Sequence, residues 1–572
     1  MAVDLNFMVG GEAGQGVQSV GFMLAKTLAR GGYHVFADQD YESRVRGGHN
    51  FFRIRVKDSP VGAIAEGVDV LIALDRESLD RHYKELSGGG VIVFDGEKMS
   101  DVRSGGSRFG VPLESLAREK AGNKLMANTV ALGAVLGLAG YGLEILEGVL
   151  RERFAGEIGG GNVRAARAGY EYAEQNFKGN FGGLIVPVGG DMRMLLSGNE
   201  AIALGAIAAG CTFMAGYPMT PASSIMEYLA AKAKDRVVVV HTEDEIAAMN
   251  MIIGASFAGA RAMTATSGSG FCLMVEGLGL AGITETPVVV IDAQRPGPAT
   301  GLPTRTEQSD LEFVLYASHG EFPRAVLAPA TVEDCFYLTA RAFNLADRYQ
   351  LPVILLTDQH LASSYSTVER FDLSRVSIDR GLLFKRRGAA EYKRHRITSS
   401  GVSPRAFPGR EGVLVATDAD EHNEAGHLIE DAATRTQMVE KRMRKLCGLR
   451  QEMTPPRRYG PKSAEITLVG WGSTYGALVE AADILHRDGV KLNLLHLNEL
   501  WPFPAGAVDE ALGNARSSYV VENNATGQLA HLIGAETGRK VSGGILKFDG
   551  RPFTPAYIAR RVKEEGGASH AG

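Results

Sequence analysis

Short apolar runs that end in a glycine, a proline or a small polar residue, each followed by a helical segment, recur along the whole chain and limit it to α/β architecture. In the first part they are "LNFMV", "VDVLIAL" and "GGVIVFD". In the second they are "CTFMAGY", "RVVVVHT", "ARAMTATS", "TPVVVID" and "PVILLTD", and in the third "AEITLVGWGS", "KLNLLHL" and "SSYVVEN". Strand, turn and helix in that order is the grammar of parallel βαβ units. It divides the 572 residues into blocks at 1–180, 195–375 and 461–565. Between the last two, 376–460 contains "LLFKRRGAAEYKRHRITSSGVSPRAFPGREG", whose prolines, glycines and basic residues exclude a regular core element. That stretch reads as a linker or functional loop.

Composition excludes several classes. A formal net charge of -5 with 22% charged residues gives no global bias toward nucleic acid or a membrane surface. No apolar run reaches the roughly 18 residues of a membrane span, and no signal peptide is expected, so a cytoplasmic protein is expected. Cys211, Cys272, Cys335 and Cys447 stand singly, so local spacing codes neither an iron–sulfur cluster nor a structural zinc. No Gly-Asp-Gly segment occurs, although thiamine enzymes use one for Mg²⁺ and diphosphate.

Four segments carry candidate chemistry. In "VVVVHTEDEIAAMNMIIGASFAGA", Val237–Ala260, three acids precede a helix whose apolar run is broken only by Asn250, which predicts burial on all sides. Thr242 and Glu245 have the spacing of a capping box, and Glu243 and Asp244 read as helix-start acids. A carboxylate at the mouth of a buried helix loses water and needs a partner. "CTFMAGYPMTPASSIMEYLAA" offers Thr220 as an N-cap with Pro221 at the first helical position. "VVVIDAQRPGPATGLPTRTEQSDL" places Arg295 after a strand and Thr304 and Arg305 in a glycine- and proline-rich loop. Thr220, Glu245 and Arg295 thus fall at strand ends of one doubly wound block, the edge where such folds bind ligands. They offer a hydroxyl, a carboxylate and a guanidinium to an anion.

The fourth segment is "GGEAGQG", with Gly10, Gly11, Gly14, Gln15 and Gly16 between a strand and a helix, where amides and the helix dipole suit a phosphate. Glu12 and Ser19 break G-x-G-x-x-G. An NAD-linked dehydrogenase would need that fingerprint plus Asp38 or Asp40 for the ribose. Arg44 and Arg46 beside Gly47 and Gly48 suit phosphate or carboxylate, or a solvated salt-bridge turn. "LWPFP" reads as core or interface anchors.

The ordered segments "GYPMTPASSIMEYLA", "HTEDEIAAMNMIIGASFAGARAMTATSGSGFCLM", "QRPGPATGLPTRTEQSDL" and "WGSTYGALVEA…WPFP…VVENNATGQL" resemble the alpha subunit of the 2-oxoacid:ferredoxin oxidoreductases. "GGEAGQGVQSVGFMLAKTL" with "YESRVRGGHNFFRI" is similar to the gamma subunit of that family, so gamma and alpha read as fused. "GLPTRTEQ" in a fused chain most resembles the 2-oxoglutarate enzymes. The resemblance implies a Rossmann-like gamma domain, a pyrimidine-type thiamine-diphosphate-binding domain and a transketolase C-terminal-like domain. It implies oxidative, reversible decarboxylation of 2-oxoglutarate with coenzyme A to succinyl-CoA, with electrons passing to ferredoxin; pyruvate or another 2-oxoacid is the alternative. Glu245 matches the glutamate that hydrogen-bonds the pyrimidine N1′ of thiamine and favours its imino tautomer. Thr220 and Arg295 match substrate-carboxylate contacts, with Thr304 and Arg305 for the distal carboxylate. Gly11, Gly14, Gln15, Gly16, Arg44 and Arg46 are the coenzyme A candidates. The resemblance assigns thiamine diphosphate to a site shared with a beta subunit that carries Mg²⁺ and a [4Fe-4S] cluster, in an (alpha-beta)₂ heterotetramer. A non-catalytic scaffold subunit, with Glu245 as a cap only, is the reading from another class.

Overall fold

The connection between β2 (His34–Asp40) and β3 (Gly47–Lys57) is too short for a crossover, so the two strands pair antiparallel. The computed structural model describes residues 3–43, 47–177, 179, 181–183, 185–190, 192–385 and 391–568. Two units divide the chain: Met1–Leu196 with Ser364–Arg370 and Thr554–Ala556, and Ser197–Ser363 with Phe371–Phe553 and Tyr557–Gly572.

The first unit is built on an eight-stranded sheet. It contains β1 (Asp4–Ala13), β2, β3, β4 (Val68–Ala73), β5 (Leu86–Asp95), β6 (Arg108–Val111), β7 (Met194–Ser197) and β14 (Tyr365–Val368), in the order β6-β5-β4-β1-β3-β2-β14-β7. β1, β4, β5 and β6 run parallel, as the βαβ pattern predicts, but β3 is inserted antiparallel between β1 and β2. The sheet is therefore mixed, not parallel throughout. β3 alternates partners on both edges, which leaves Arg53 to pair with Asp38 at 2.8 Å. One of the two acids offered for a ribose is thereby bound to a guanidinium.

The second unit holds two sheets. β8 (Phe213–Gly216), β9 (Val238–His241), β10 (Ala262–Thr266), β11 (Val288–Gln294), β12 (Ala325–Leu327) and β13 (Pro352–Asp358) are parallel, and β18 (Glu499–Trp501) joins antiparallel, giving the order β18-β12-β13-β11-β10-β8-β9. Every residue of β10, β11 and β13 is buried, as expected of strands covered on both faces. β16 (Ile466–Trp471), β17 (Leu492–Leu497), β19 (Ser517–Glu522) and β20 (Gly543–Leu546) form a smaller parallel sheet edged by antiparallel β15 (Arg457–Tyr459). Gln308 fastens the loop after β11 to this sheet. It accepts from the Asn523 amide at 3.1 Å and donates to the Trp471 carbonyl at 3.0 Å.

Two expectations fail here. The helix Glu245–Phe257 is not buried on all sides, because Ile246 (50% exposed), Asn250, Met251 and Gly254 face outward. No other described segment of the chain covers that apolar face. The 376–460 stretch also contains a 21-residue helix, Ala432–Glu452. Its inward face is Met438, Lys441, Arg442, Lys445 and Leu449, so long cations occupy positions where an apolar stripe would have marked the helix. Lys441 and Lys445 converge on Glu285, and all three are fully buried.

Candidate active site

The carboxyl ends of β8 to β11 carry the candidate residues of the second unit. After β8, the Thr220–Pro221 segment is held by Asn199, whose amide donates to the Pro221 carbonyl at 2.7 Å. The following helix starts at Ser223 with Ala222 at its cap and no side-chain cap bond. Thr220 is therefore not an N-cap, because the two residues after it belong to a turn that aims its carbonyl elsewhere. That carbonyl accepts from Arg295 Nη1 at 2.7 Å. Thr220 and Arg295 meet as the sequence suggests, through the Thr220 backbone and not its hydroxyl.

After β9, Asp244 caps the helix Glu245–Phe257. Its Oδ1 accepts the Ala247 amide at 2.8 Å, and Thr242 Oγ1 donates to the Asp244 carbonyl. The Thr242–Glu245 capping box does not form, since the helix begins two residues later than that spacing requires. Glu245 is freed from capping. It is the first helical residue, 4% exposed, and its Oε1 has no hydrogen-bond partner among the described residues. Gly270 makes room for it: a Cβ there would lie 2.5 Å from Glu245 Oε1 and 2.1 Å from Thr266 Oγ1.

After β10, the helix Gly268–Ile283 begins at Ser267, whose buried hydroxyl caps nothing. After β11 comes Arg295, 8% exposed, with Nη2 bonded to Ser269 Oγ at 3.4 Å and Nε unpartnered. Burial pulls its guanidinium below the usual value, with Asp310 opposing. Ser267, Ser269, Cys272, Arg295, Ala299 and Asp310 line a cavity of about 340 Å³. A helix N-terminus with a guanidinium beside it attracts carboxylate or phosphate. A larger cavity, about 560 Å³, contains Asp334, Arg341, Arg457 and Glu499. These pair among themselves, Arg341 with Glu499 at 2.7 Å and Arg457 Nη1 with Asp334 at 2.9 Å, which cancels their field.

The other sequence candidates are dispersed. Thr304 is buried and Arg305 half-buried on the loop after β11, with Arg305 packed beside Gly550; neither lines the Arg295 cavity. Gly10 and Gly11 belong to β1 itself, so the loop proper is Gly14–Gly16. Gly14 and Gly16 adopt φ of 95° and 80°, the region that favours glycine. Gln15 folds back to accept the Glu12 amide at 2.9 Å. Arg44 and Arg46 lie outside the described residues.

Asp292, Ser269, Gly270, Cys272 and Asp310 were not found from sequence. The available signal was Asp292, an acid ending the apolar run "VVVID" inside a strand with no visible counter-charge. Among the described residues no group of three or more His, Cys, Asp or Glu side chains is placed to hold a metal ion, and no helix is long and apolar enough to cross a membrane.

Comparison with known proteins places this geometry in context. Residues 204–441 match the family Pyruvate flavodoxin/ferredoxin oxidoreductase, thiamine diP-bdg. Residues 6–172 match Pyruvate ferredoxin/flavodoxin oxidoreductase, and 464–558 match Pyruvate:ferredoxin oxidoreductase core domain II. The chain is 33% identical to a Sulfolobus 2-oxoacid:ferredoxin oxidoreductase subunit alpha, over 96% of this chain and 95% of that one. It is 32% identical to the Mycobacterium tuberculosis 2-oxoglutarate oxidoreductase subunit KorA, over 97% and 91%. Among solved structures, the 2-oxoglutarate:ferredoxin oxidoreductase from Magnetococcus marinus, with 2-oxoglutarate, coenzyme A and succinyl-CoA bound, is 33% identical. It superposes with a TM-score of 0.91 over 98% of this chain and 99% of that chain.

Proposed function

The chain belongs to the 2-oxoacid:ferredoxin oxidoreductase family as a gamma-type segment joined to an alpha-type one, and from that premise we propose that it serves coenzyme A-dependent oxidative decarboxylation of 2-oxoglutarate. The relatives from M. tuberculosis and M. marinus, named for 2-oxoglutarate, support that substrate over pyruvate. One observation carries the reading. Buried Arg295 and the unpartnered Glu245 oxygen lie at one sheet edge, on either side of the first turn of the helix Gly268–Ile283.

Thiamine diphosphate, when bound, supplies the electron sink for loss of CO₂. The residues present fit its pyrimidine end: Glu245 Oε1 is a free acceptor, and Gly270 leaves it space. In this reading Glu245 exchanges the proton at that oxygen with the ring nitrogen, Arg295 holds the 2-oxoacid carboxylate, and the Gly268–Ile283 N-terminus adds its dipole. Thr304 and Arg305 are this chain's candidates for the distal carboxylate. A beta subunit with Mg²⁺ and an iron–sulfur cluster would cover the outward apolar face at Ile246 and Met251, pass electrons to ferredoxin, and complete an (alpha-beta)₂ assembly. Gly11, Gly14, Gln15 and Gly16, with Arg44 and Arg46, are assigned to coenzyme A.

The test is Arg295. In the chain assembled with its partner, Arg295→Ala is expected to cost about 2–5 kcal/mol in kcat/KM, while Arg295→Lys, which keeps charge but not the planar fork, chiefly raises KM. Cys272 gives a second readout. It lines the Arg295 cavity with an exposed thiol, and Cys447 is exposed elsewhere. 2-Oxoglutarate is expected to slow alkylation of Cys272 and not of Cys447. An unchanged kcat/KM in both variants, with no shielding of Cys272, removes Arg295 from the substrate site.

A further inference from the structure

Asp310 stands where an aspartate ordinarily caps a helix, before Leu311–Tyr316, yet its side chain makes no cap bond. Its backbone N–H is held by Gln294 Oε1 at 3.0 Å, and the Gln294 amide donates to the Thr357 carbonyl at 3.0 Å. The carboxyl is turned to the helix start at Gly268 instead, where a Cβ would lie 2.5 Å from Asp310 Oδ2. That oxygen is buried, has no hydrogen-bond partner among the described residues, and belongs to a residue lining the Arg295 cavity. Behind it on β11, Asp292 is 0% exposed with neither carboxyl oxygen partnered. Asp310 Oδ2 and the Asp292 carboxyl thus stand buried and unpartnered near Arg295, whose Nε is unpartnered too among the described residues.

We propose that Asp310, backed by Asp292, is a proton-holding positioning residue that makes carboxylate binding at Arg295 dependent on proton uptake. The inference rests on the substrate reading above. A carboxylate whose oxygen is buried and unpaired is costly and takes a proton. An incoming carboxylate that engages Arg295 takes up the counter-charge that faces Asp310 and adds a like charge, so Asp310 has to be neutral for the anion to enter.

The groups facing Asp310 are Asp292 on β11, Arg295 and Glu307 on the following loop, and Cys272 on the helix Gly268–Ile283. Burial, with help from Glu307 and against Arg295, pushes the Asp310 carboxyl up to about 7. Burial and Asp310 push Asp292 well above the usual carboxylate range. The sign follows. Below about pH 7 Asp310 already carries its proton and binding is insensitive to pH; above it each anion must bring a proton in, and Kd rises about tenfold per pH unit.

The test is calorimetric titration of the full chain assembled with its partner, using 2-oxoglutarate, at pH values below and above 7 and in buffers of different ionisation enthalpy. The wild type is expected to take up close to one proton per ligand at alkaline pH, and Asp310→Asn none, with a Kd flat across the range. Infrared spectra of the unliganded wild type provide a measurement that needs neither variant nor ligand. They are expected to show a protonated-carboxyl stretch that loses intensity as pH rises through about 7. Absence of that band, no proton uptake by the wild type, or uptake retained in Asp310→Asn each overturns the proposal. A titrating band with no 2-oxoglutarate binding at any pH overturns the substrate reading and leaves the carboxyl pair supported.

Discussion

Glu245→Gln, in the chain assembled with its partner subunit, is expected to lower turnover by about 10²- to 10⁴-fold, the range for removing a general acid–base group, with thermal stability unchanged. The separation of the two effects comes from the helix start. Asp244 Oδ1, not Glu245, accepts the Ala247 amide, so the cap survives the substitution. The substituted amide would keep the shape of the side chain and lose the ability to exchange a proton. Gly270→Ala is the companion test, because its Cβ would collide with Glu245 Oε1 and Thr266 Oγ1 and displace the carboxylate without altering its chemistry. Steady-state turnover together with a thermal melt checks both. Near-normal turnover of Glu245→Gln would favour the scaffold reading, in which this acid does no chemistry.

Glu285→Gln is expected to destabilise the second unit by about 3–5 kcal/mol, the cost of leaving buried charges without their partner. Glu285 ends the helix region after Gly268–Ile283 and is fully buried. It pairs with Lys441, with Lys445 at 2.5 Å, and with His395 Nδ1 at 2.9 Å. Burial alone would push this carboxyl up, but the two ammonium groups and the His395 hydrogen bond outweigh it and hold the acid well below its ordinary value. Since the folded value is depressed, the stabilisation is present above the unfolded carboxylate range and is lost as pH falls through the folded value. Denaturant titration of wild type and variant at neutral pH, and again under acid conditions where Glu285 is protonated, measures both points: the gap is expected to close in acid. A gap below about 1 kcal/mol at neutral pH would mean that the lysines shed their protons and the network contributes little.

Much of the architecture was legible because strand, turn and helix leave local marks. The parallel order of β8, β10, β11 and β13 follows from apolar runs separated by helical segments, and the topology brings their carboxyl ends to one edge. That is why Thr220 and Arg295, 75 residues apart, meet as the sequence suggests. The helix Ala432–Glu452 escaped because its inward face is cationic, and a hydrophobic period cannot report a face made of lysine and arginine. The capping box failed by two residues of register, a shift that the run of acids Glu243–Glu245 permits without any change in composition.

By itself the sequence determined the α/β class, the family resemblance and the placing of Thr220, Glu245 and Arg295 at strand ends, because each depends on backbone patterns that neighbouring residues enforce. The tertiary structure alone decided which polar atoms end up dry and unpaired: Glu245 Oε1, the Asp292 carboxyl and Asp310 Oδ2. It alone decided also that Glu285 is answered by Lys441, 156 residues on. The physical reason is that desolvation and charge pairing are set by segments remote in sequence, and no local period records what will be packed against a side chain.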